Sequence, residues 1–291
     1  MDATVALAGN PNSGKTTLFN ALTGARQHVG NYPGVTVEKK VGTYRLNGYR
    51  FSIVDLPGTY SLTAFSLEEV VARDFLAGEN PEVVINILDA SNLERNLYLT
   101  LQFMEMGLPV CIALNMMDVA SNRGIEIDVD ALSSALNVPI VPIIARSGKG
   151  VPELMQAAGR LAESQNKPIS MVISYGDDID GALMEMEEQI TQRNFLTDCY
   201  QPRWVALKYL EKDEQVLKQG RCCDPELAER LTRKAGQIGD HLQKTLNTYP
   251  EAMVADQRYG YIKSILRQGI IRFKTDQQRL FISDKIDRIV V

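Results

Sequence analysis

The stretch "TVALAGNPNSGKTTLFNALTG", residues 4–24, sets the fold. An apolar, β-forming run enters a Gly-containing turn, and a helical pattern follows at once. The turn itself, "GNPNSGKT" from Gly9 to Thr16, matches the phosphate loop G-x-x-x-x-G-K-[ST], in the strand–loop–helix context that motif requires. Its glycines let the main chain approach phosphate oxygens. Its N–H groups converge as a nest, and the helix N-terminus adds partial positive charge. Asn10, Pro11, Asn12, Ser13, Gly14, Lys15, Thr16 and Thr17 are therefore the expected phosphate cradle. Lys15 is expected to reach the β- and γ-phosphates and the Thr16 hydroxyl to ligate Mg²⁺.

Working outward, further short runs rich in Val and Ile follow: "FSIVDL" (51–56), "VVINILDA" (83–90), "VCIALN" (110–115) and "IVPII" (140–144). Continuous apolar runs of this length suit strands buried on both faces of a mainly parallel sheet. Between and after them lie helical patterns, "LERNLYLTLQFMEMG" (93–107), "DVDALSSALN" (128–137) and "VPELMQAAGRLAES" (151–164). The alternation predicts an α/β doubly wound domain with a mostly parallel sheet over residues 1–165. One antiparallel edge hairpin is expected within "VTVEKKVGTYRLNGYRFSIVD" (35–55), because Asn47-Gly48 favours a two-residue turn.

After the polar joint "SQNKPIS" (164–170), helical periodicity takes over. Ile179, Leu183, Met186 and Ile190 share one face, as do Leu227, Leu231, Ile238 and Leu242. Asp224 reads as an N-cap with Pro225 at the first helical position, and Trp204, Leu207 and Leu210 mark another helix. A small all-α domain over residues 166–270 and a tail over 271–291 complete the expected organisation.

The 291 residues carry a net charge of -5, which gives no electrostatic reason to expect nucleic acid as a partner. Four cysteines, at 111, 199, 222 and 223, lack metal-ligand spacing, and a reducing compartment fits them. Two histidines, His28 and His241, make a His-based metal site or catalytic triad improbable. The N-terminus lacks the pattern of a signal peptide, and no run of about 18 apolar residues exists to span a bilayer.

Three further motifs acquire meaning beside a phosphate loop. "DLPG" (55–58) ends a core strand: Asp55 is placed to hold Mg²⁺ through water, and the Gly58 amide to bond the γ-phosphate. "NMMD" (115–118) ends a later strand. A carboxylate at Asp118 accepts two hydrogen bonds from guanine N1–H and the 2-amino group, a donor pair adenine lacks, so GTP is favoured over ATP. Asn115 is placed to bond the base and brace the phosphate loop, and the Met116 stem to lie along the purine face. The competing reading makes Asn115 and Asp118 a turn and helix cap. In "IIARSGKG" (143–150), Ala145, Arg146 and Ser147 occupy the place of the last guanine loop, and which of them donates to the base stays open. Between phosphate loop and hairpin, "HVGNYPGVTVE" (28–38) offers Gly34, Val35 and Thr36 as a mobile switch I, with Thr36 the second Mg²⁺-ligating hydroxyl; residues 59–76 form switch II.

With "GNPNSGKTTLFNALTGARQHVGNYPGVTVEKK", "DLPGTYSL" and "NMMD" in place, the chain resembles the cytosolic N-terminal portion of ferrous iron transport protein B of bacteria, over nearly its whole length. The resemblance implies a Ras-like P-loop GTPase domain over residues 1–165 joined to a helical module akin to a nucleotide-dissociation inhibitor, then a membrane domain for Fe²⁺ that would follow "DKIDRIVV" (284–291). It implies a place at the cytoplasmic face of the bacterial inner membrane, and as partners GTP and GDP, that membrane domain and a small accessory protein of iron uptake. "YIKSILRQGIIRF" (261–273) would be the helix leading toward the membrane, or else a surface helix. The resemblance also implies K⁺ activation, with Asn12 helping to bind K⁺ beside the phosphates. Thr59 stands where Ras-like enzymes carry a water-orienting Gln, so intrinsic turnover is expected to be slow. Lys15, Asn12, Thr36 and Gly58 are the expected catalytic set. A soluble GTPase regulating ribosome or RNA assembly is the alternative function, an ATPase a third; the oligomeric state is left open.

Overall fold

The computed structural model describes residues 1–24, 27–63, 66–164 and 170–274. The expected joint near Pro168, most of the tail and two residues of switch II (64 and 65) lie outside these residues. Seven strands form one sheet in the order β2-β3-β4-β1-β5-β6-β8. They are β1 (Asp2–Gly9), β2 (Gln27–Asn31), β3 (Glu38–Leu46), β4 (Tyr49–Asp55), β5 (Val83–Asp89), β6 (Val110–Asn115) and β8 (Ile140–Pro142). β1 pairs in parallel with both β4 and β5, and β5, β6 and β8 continue in parallel. The helices α1 (Lys15–Thr23), α2 (Leu67–Glu79), α3 (Leu93–Glu105), α4 (Met117–Asn122), α5 (Val129–Leu136) and α6 (Val151–Glu163) supply the crossovers and covering layers.

Alternation along β1 sorts the core. Val5 and Leu7 face α1 and α6, in one cluster with Phe19, Leu154 and Met155. Ala6 and Ala8 face the other way, into a larger cluster that includes Phe75 of α2 and Leu97 of α3. Both faces are covered, which is why β5 and β6 read as unbroken apolar runs.

The antiparallel edge is wider than the one hairpin the sequence predicts. Asn47 and Gly48 make the expected turn, with φ of 47° and 85°. A further strand, β2, then pairs antiparallel with β3, from Gln27 opposite Gly42 to Asn31 opposite Glu38. The segment expected to be a mobile switch I is thus partly a strand. Every residue of β2 is exposed, so no apolar alternation announces it.

The second half is helical, as the periodicity predicts: α7 (Asp177–Gln192), α8 (Pro202–Leu210), α9 (Glu214–Cys223), α10 (Pro225–Leu246) and α11 (Pro250–Ile265). Ile179, Leu183, Met186 and Ile190 are buried together with Trp204, Leu207, Leu227, Leu231 and Leu242, and Ile238 packs against them half-buried. Asp224 caps α10 by accepting from the Leu227 N–H at 3.0 Å. This cluster is continuous with the α2–α3 face of the sheet, so the helical region shares its core with the α/β region.

The expectation of a helix running on through residues 261–273 needs correction. α11 ends at Ile265, one wide turn spans Leu266–Ile270, and Gly269 there takes a φ of 84° that stops the helix. The chain then reverses into β9 (Ile271–Phe273), which pairs antiparallel with β7 (Ile125–Ile127) of the first half. Residues 271–273 therefore fold back onto the α/β region. Among the described residues, no helix is long and apolar enough to cross a membrane.

Candidate functional site

The phosphate loop sits at the carboxyl end of β1, central in the sheet. Asn12 adopts a left-handed φ of 67° and Gly14 one of 97°, which turn the chain back on itself before α1. The Ser13 N–H closes this turn on the Asn10 carbonyl at 3.1 Å, and Leu18 N–H bonds to Gly14 O at 3.0 Å. The amides of Lys15, Thr16 and Thr17 thereby form the open first turn of α1, whose N-cap Gly14 offers no side chain. Asn10 and Ser13 are buried under the loop. Neither the Asn10 amide nor the Ser13 hydroxyl has a partner within the fold. Pro11 faces the D-x-x-G turn, since a Cβ on Gly58 would stand 3.6 Å from Pro11 Cα.

At the neighbouring strand end, Lys15 Nζ donates to Asp55 Oδ1 at 2.5 Å. The two residues expected to serve phosphate and metal are thus brought together. Thr59 is buried, and its N–H donates to the Gly9 carbonyl at 3.3 Å, so this position holds the phosphate loop through its main chain. Thr36 lies exposed in the loop between β2 and β3, and Gly34 in the same loop takes a φ of 75°.

Asn115 joins the halves of the site. Its Nδ2 donates to the Ser13 carbonyl at 2.9 Å, and its Oδ1 accepts from the Ala145 N–H at 3.1 Å. One buried amide therefore ties the phosphate loop to the 145–147 loop. Gly14 permits this approach: a Cβ there would fall 2.2 Å from Asn115 Nδ2. The cap alternative does not hold for this motif. The N-cap of α4 is Met116, at a left-handed φ of 61°, with no side-chain cap bond, and Asp118 stands exposed in the first turn.

The 145–147 loop can now be sorted. The Ala145 N–H is committed to Asn115, and the Ser147 N–H to Ile144 O at 3.0 Å. Arg146 N–H is the remaining main-chain donor of the three residues. Ala145 and Ser147 thus drop out as main-chain contacts to a base in this arrangement.

Residues 3–158 match the family described as ferrous iron transport protein B, and residues 175–271 match the FeoB cytosolic helical domain. The chain belongs to the ferrous iron transport protein B family. A FeoB relative from Porphyromonas gingivalis, a Fe(2+) transport protein A/Fe(2+) transporter FeoB fusion protein, is 43% identical over 98% of this chain. The chain spans 34% of that protein's length. The solved cytosolic domain of L. pneumophila FeoB is 36% identical, with a TM-score of 0.78 over 92% of this chain and 99% of its own. That of the T. maritima FeoB iron transporter in GMPPNP form is 34% identical, with a TM-score of 0.78 over 93% of this chain and 99% of its own.

Among the described residues, two buried ionic contacts join the two halves of the chain. Arg73, on α2, donates to Asp213 at 2.6 Å, and Asp213 is also the N-cap of α9, accepting from Val216 N–H at 3.2 Å. Glu105, closing α3, receives Arg258 of α11 through both Nε and Nη2, the latter at 2.8 Å. Arg258 Nη1 also donates to Glu211 Oε1 at 2.8 Å, Lys208 Nζ donates to Glu211 Oε2 at 2.7 Å, and the Tyr175 hydroxyl donates to Glu105. Two carboxylates and two cations balance in this cluster. Burial by itself would raise the Glu211 pKa, but the Lys208 and Arg258 charges and hydrogen bonds outweigh it and hold the carboxyl at about 2. No local pattern in the sequence marks Arg73 with Asp213 or Glu105 with Arg258, because the partners lie 140 and 153 residues apart.

The donor set fits Mg²⁺ chemically. Thr16 offers a hydroxyl at the helix start and Asp55 a carboxylate at a strand end, both hard oxygen ligands that leave room for phosphate oxygens and waters. Among the described residues, no three His, Cys, Asp or Glu side chains gather into a metal-ligating group. Asn12 presents an exposed carboxamide at the rim of the loop, an oxygen donor suited to a weakly hydrated monovalent cation.

Proposed function

We propose that this chain binds GTP and hydrolyses it to GDP and phosphate, as the cytosolic part of a ferrous iron transporter at the bacterial inner membrane. The observation that supports this reading is the Asn115 bridge, which ties the Ser13 carbonyl of the phosphate loop to the Ala145 N–H of the 145–147 loop. The GMPPNP form of the T. maritima relative supports the same ligand class.

In this reading the first-turn amides of α1 and Lys15 take the phosphates, and Lys15 exchanges Asp55 for phosphate oxygens. Thr16, Thr36 and, through water, Asp55 would hold Mg²⁺, which supplies positive charge to the β- and γ-phosphate oxygens. Gly58 N–H senses the γ-phosphate. Asp118 accepts from guanine N1–H and the 2-amino group, and Arg146 N–H meets O6. Met116 lies against the purine. The buried Thr59 cannot orient water as a Gln does, so the chain's own residues give slow turnover. The Asn12 carboxamide would hold K⁺, a positive charge placed where other GTPases use an arginine.

Hydrolysis in turn reaches the helical region through α2, whose Arg73 grips the cap of α9. The membrane domain is the partner this movement would serve, and the fusion in the P. gingivalis relative points to Fe(2+) transport protein A as an accessory. Phosphate release from GTP in KCl against NaCl, with Mg²⁺ or EDTA, tests the reading. Stimulation by K⁺ that Asn12→Ala abolishes, and loss of activity in EDTA, are expected; equal rates in both salts would end the K⁺ assignment.

A further inference from the structure

Tyr32 is the one fully buried residue between Gln27 and Glu38. Its main chain brackets the turn that carries Thr36: the Tyr32 N–H donates to Val37 O at 2.9 Å, and its carbonyl accepts from Val35 N–H at 3.3 Å. Its side chain leaves that loop and reaches the magnesium-side strand end, where the hydroxyl donates to the Asp55 carbonyl at 3.2 Å. The ring meets Phe75 of α2 edge-on, with centroids 6.2 Å apart at 80°. Lys39 lays its ammonium 5.5 Å from the Tyr32 ring and 5.3 Å from Phe75. One residue thus contacts the switch I turn, the end of β4 and the first helix of switch II.

A phenylalanine would fill the same space and make the same ring contacts. A buried hydroxyl is costly to desolvate unless it is bonded, and here it is bonded to Asp55.

Resting on the GTPase reading above, we propose that Tyr32 is a positioning residue that ties the Thr36 turn to the Asp55 strand end, so that both magnesium-side oxygens are presented together. The hydroxyl sets the spacing; the ring, held by Phe75 and Lys39, keeps the tie in register with α2.

The test compares the wild-type protein with Tyr32→Phe and Tyr32→Leu. The readouts are the Mg²⁺ concentration for half-maximal GTP hydrolysis, and GDP affinity in EDTA. Loss of one buried hydrogen bond predicts a midpoint about three- to tenfold higher for Tyr32→Phe, with GDP affinity in EDTA unchanged. Tyr32→Leu, which also loses the ring, is expected to shift at least as far. Magnesium-dependent wild-type hydrolysis with an unshifted Tyr32→Phe midpoint overturns the proposal alone. So does a parallel fall in GDP affinity in EDTA, which marks general loosening. Wild-type hydrolysis indifferent to magnesium overturns the site reading and the proposal with it.

Discussion

Arg73 and Asp213 lie 140 residues apart and meet at 2.6 Å, with side-chain exposures of 0% and 3%. The first sits on the helix after the D-x-x-G turn, the second at the start of a helix in the other half of the chain. The Arg73 Nε and Nη2 make no hydrogen bond, and Asp74 stands 3.8 Å from Nε, so the guanidinium depends on a single short carboxylate contact.

Asp213→Asn keeps an oxygen to cap α9 but removes the one carboxylate hydrogen-bonded to the buried Arg73, leaving only Asp74 at 3.8 Å. Removing one partner of a buried pair costs about 3–5 kcal/mol. Urea unfolding at neutral pH should show a loss of that order, and Arg73→Met in the same chain should recover a large part of it. Additive losses in the double variant would mean that the two residues are not coupled.

The Glu211 cluster makes a prediction in acid. The folded carboxyl titrates at about 2 against an ordinary value of 4.5. A depressed pKa contributes stability that is complete above the unfolded value and is lost as pH falls toward the folded one. Between pH 4.5 and 2 this group should therefore remove about 3 kcal/mol of stability, by linkage. Urea midpoints measured across that window should fall less steeply in Glu211→Gln than in the wild type. Equal slopes would assign the acid sensitivity elsewhere.

Gly14 and Gly48 both take positive φ, 97° and 85°, but only at Gly14 does a Cβ meet a neighbour, 2.2 Å from Asn115 Nδ2. Gly14→Ala should displace Asn115, break its bonds to Ser13 and Ala145, and lower GDP affinity by more than about tenfold. Gly48→Ala strains only the hairpin turn, at about 1 kcal/mol, and should leave GDP affinity unchanged. Titration with a fluorescent GDP analogue separates the two outcomes.

Much of the fold is legible in the sequence because burial on both faces writes itself as apolar runs. "VVINILDA" and "VCIALN" are strands whose neighbours are all protein, and Asn47-Gly48 turns where its positive φ values demand. β2 leaves no such mark, since all five of its residues face solvent. β7 and β9 are three residues each, too short for periodicity, which is why the reversal at Gly269 went unseen. In the candidate site, motif spacing singles out Lys15 and Asp55, which the fold pairs, Asn115, which bridges two loops, and Asp118, which stands exposed. It misses Tyr32, because an isolated aromatic in a Gly-rich loop reads as surface. Arg73, Glu105 and Arg258 escape for a different reason: a buried charge is recognisable only beside its counter-charge, and theirs are 140 and 153 residues away.

The proposed base-reading role of Asp118 bears most directly on the whole account, and calorimetric titration in Mg²⁺ tests it. The wild-type chain should bind GDP at least about a hundredfold tighter than ADP, because adenine cannot satisfy the carboxylate. Asp118→Asn should lose GDP and gain xanthosine diphosphate, whose N1–H and 2-oxo group match an amide. Equal affinity for GDP and ADP in the wild type, or no binding of either, would contradict it.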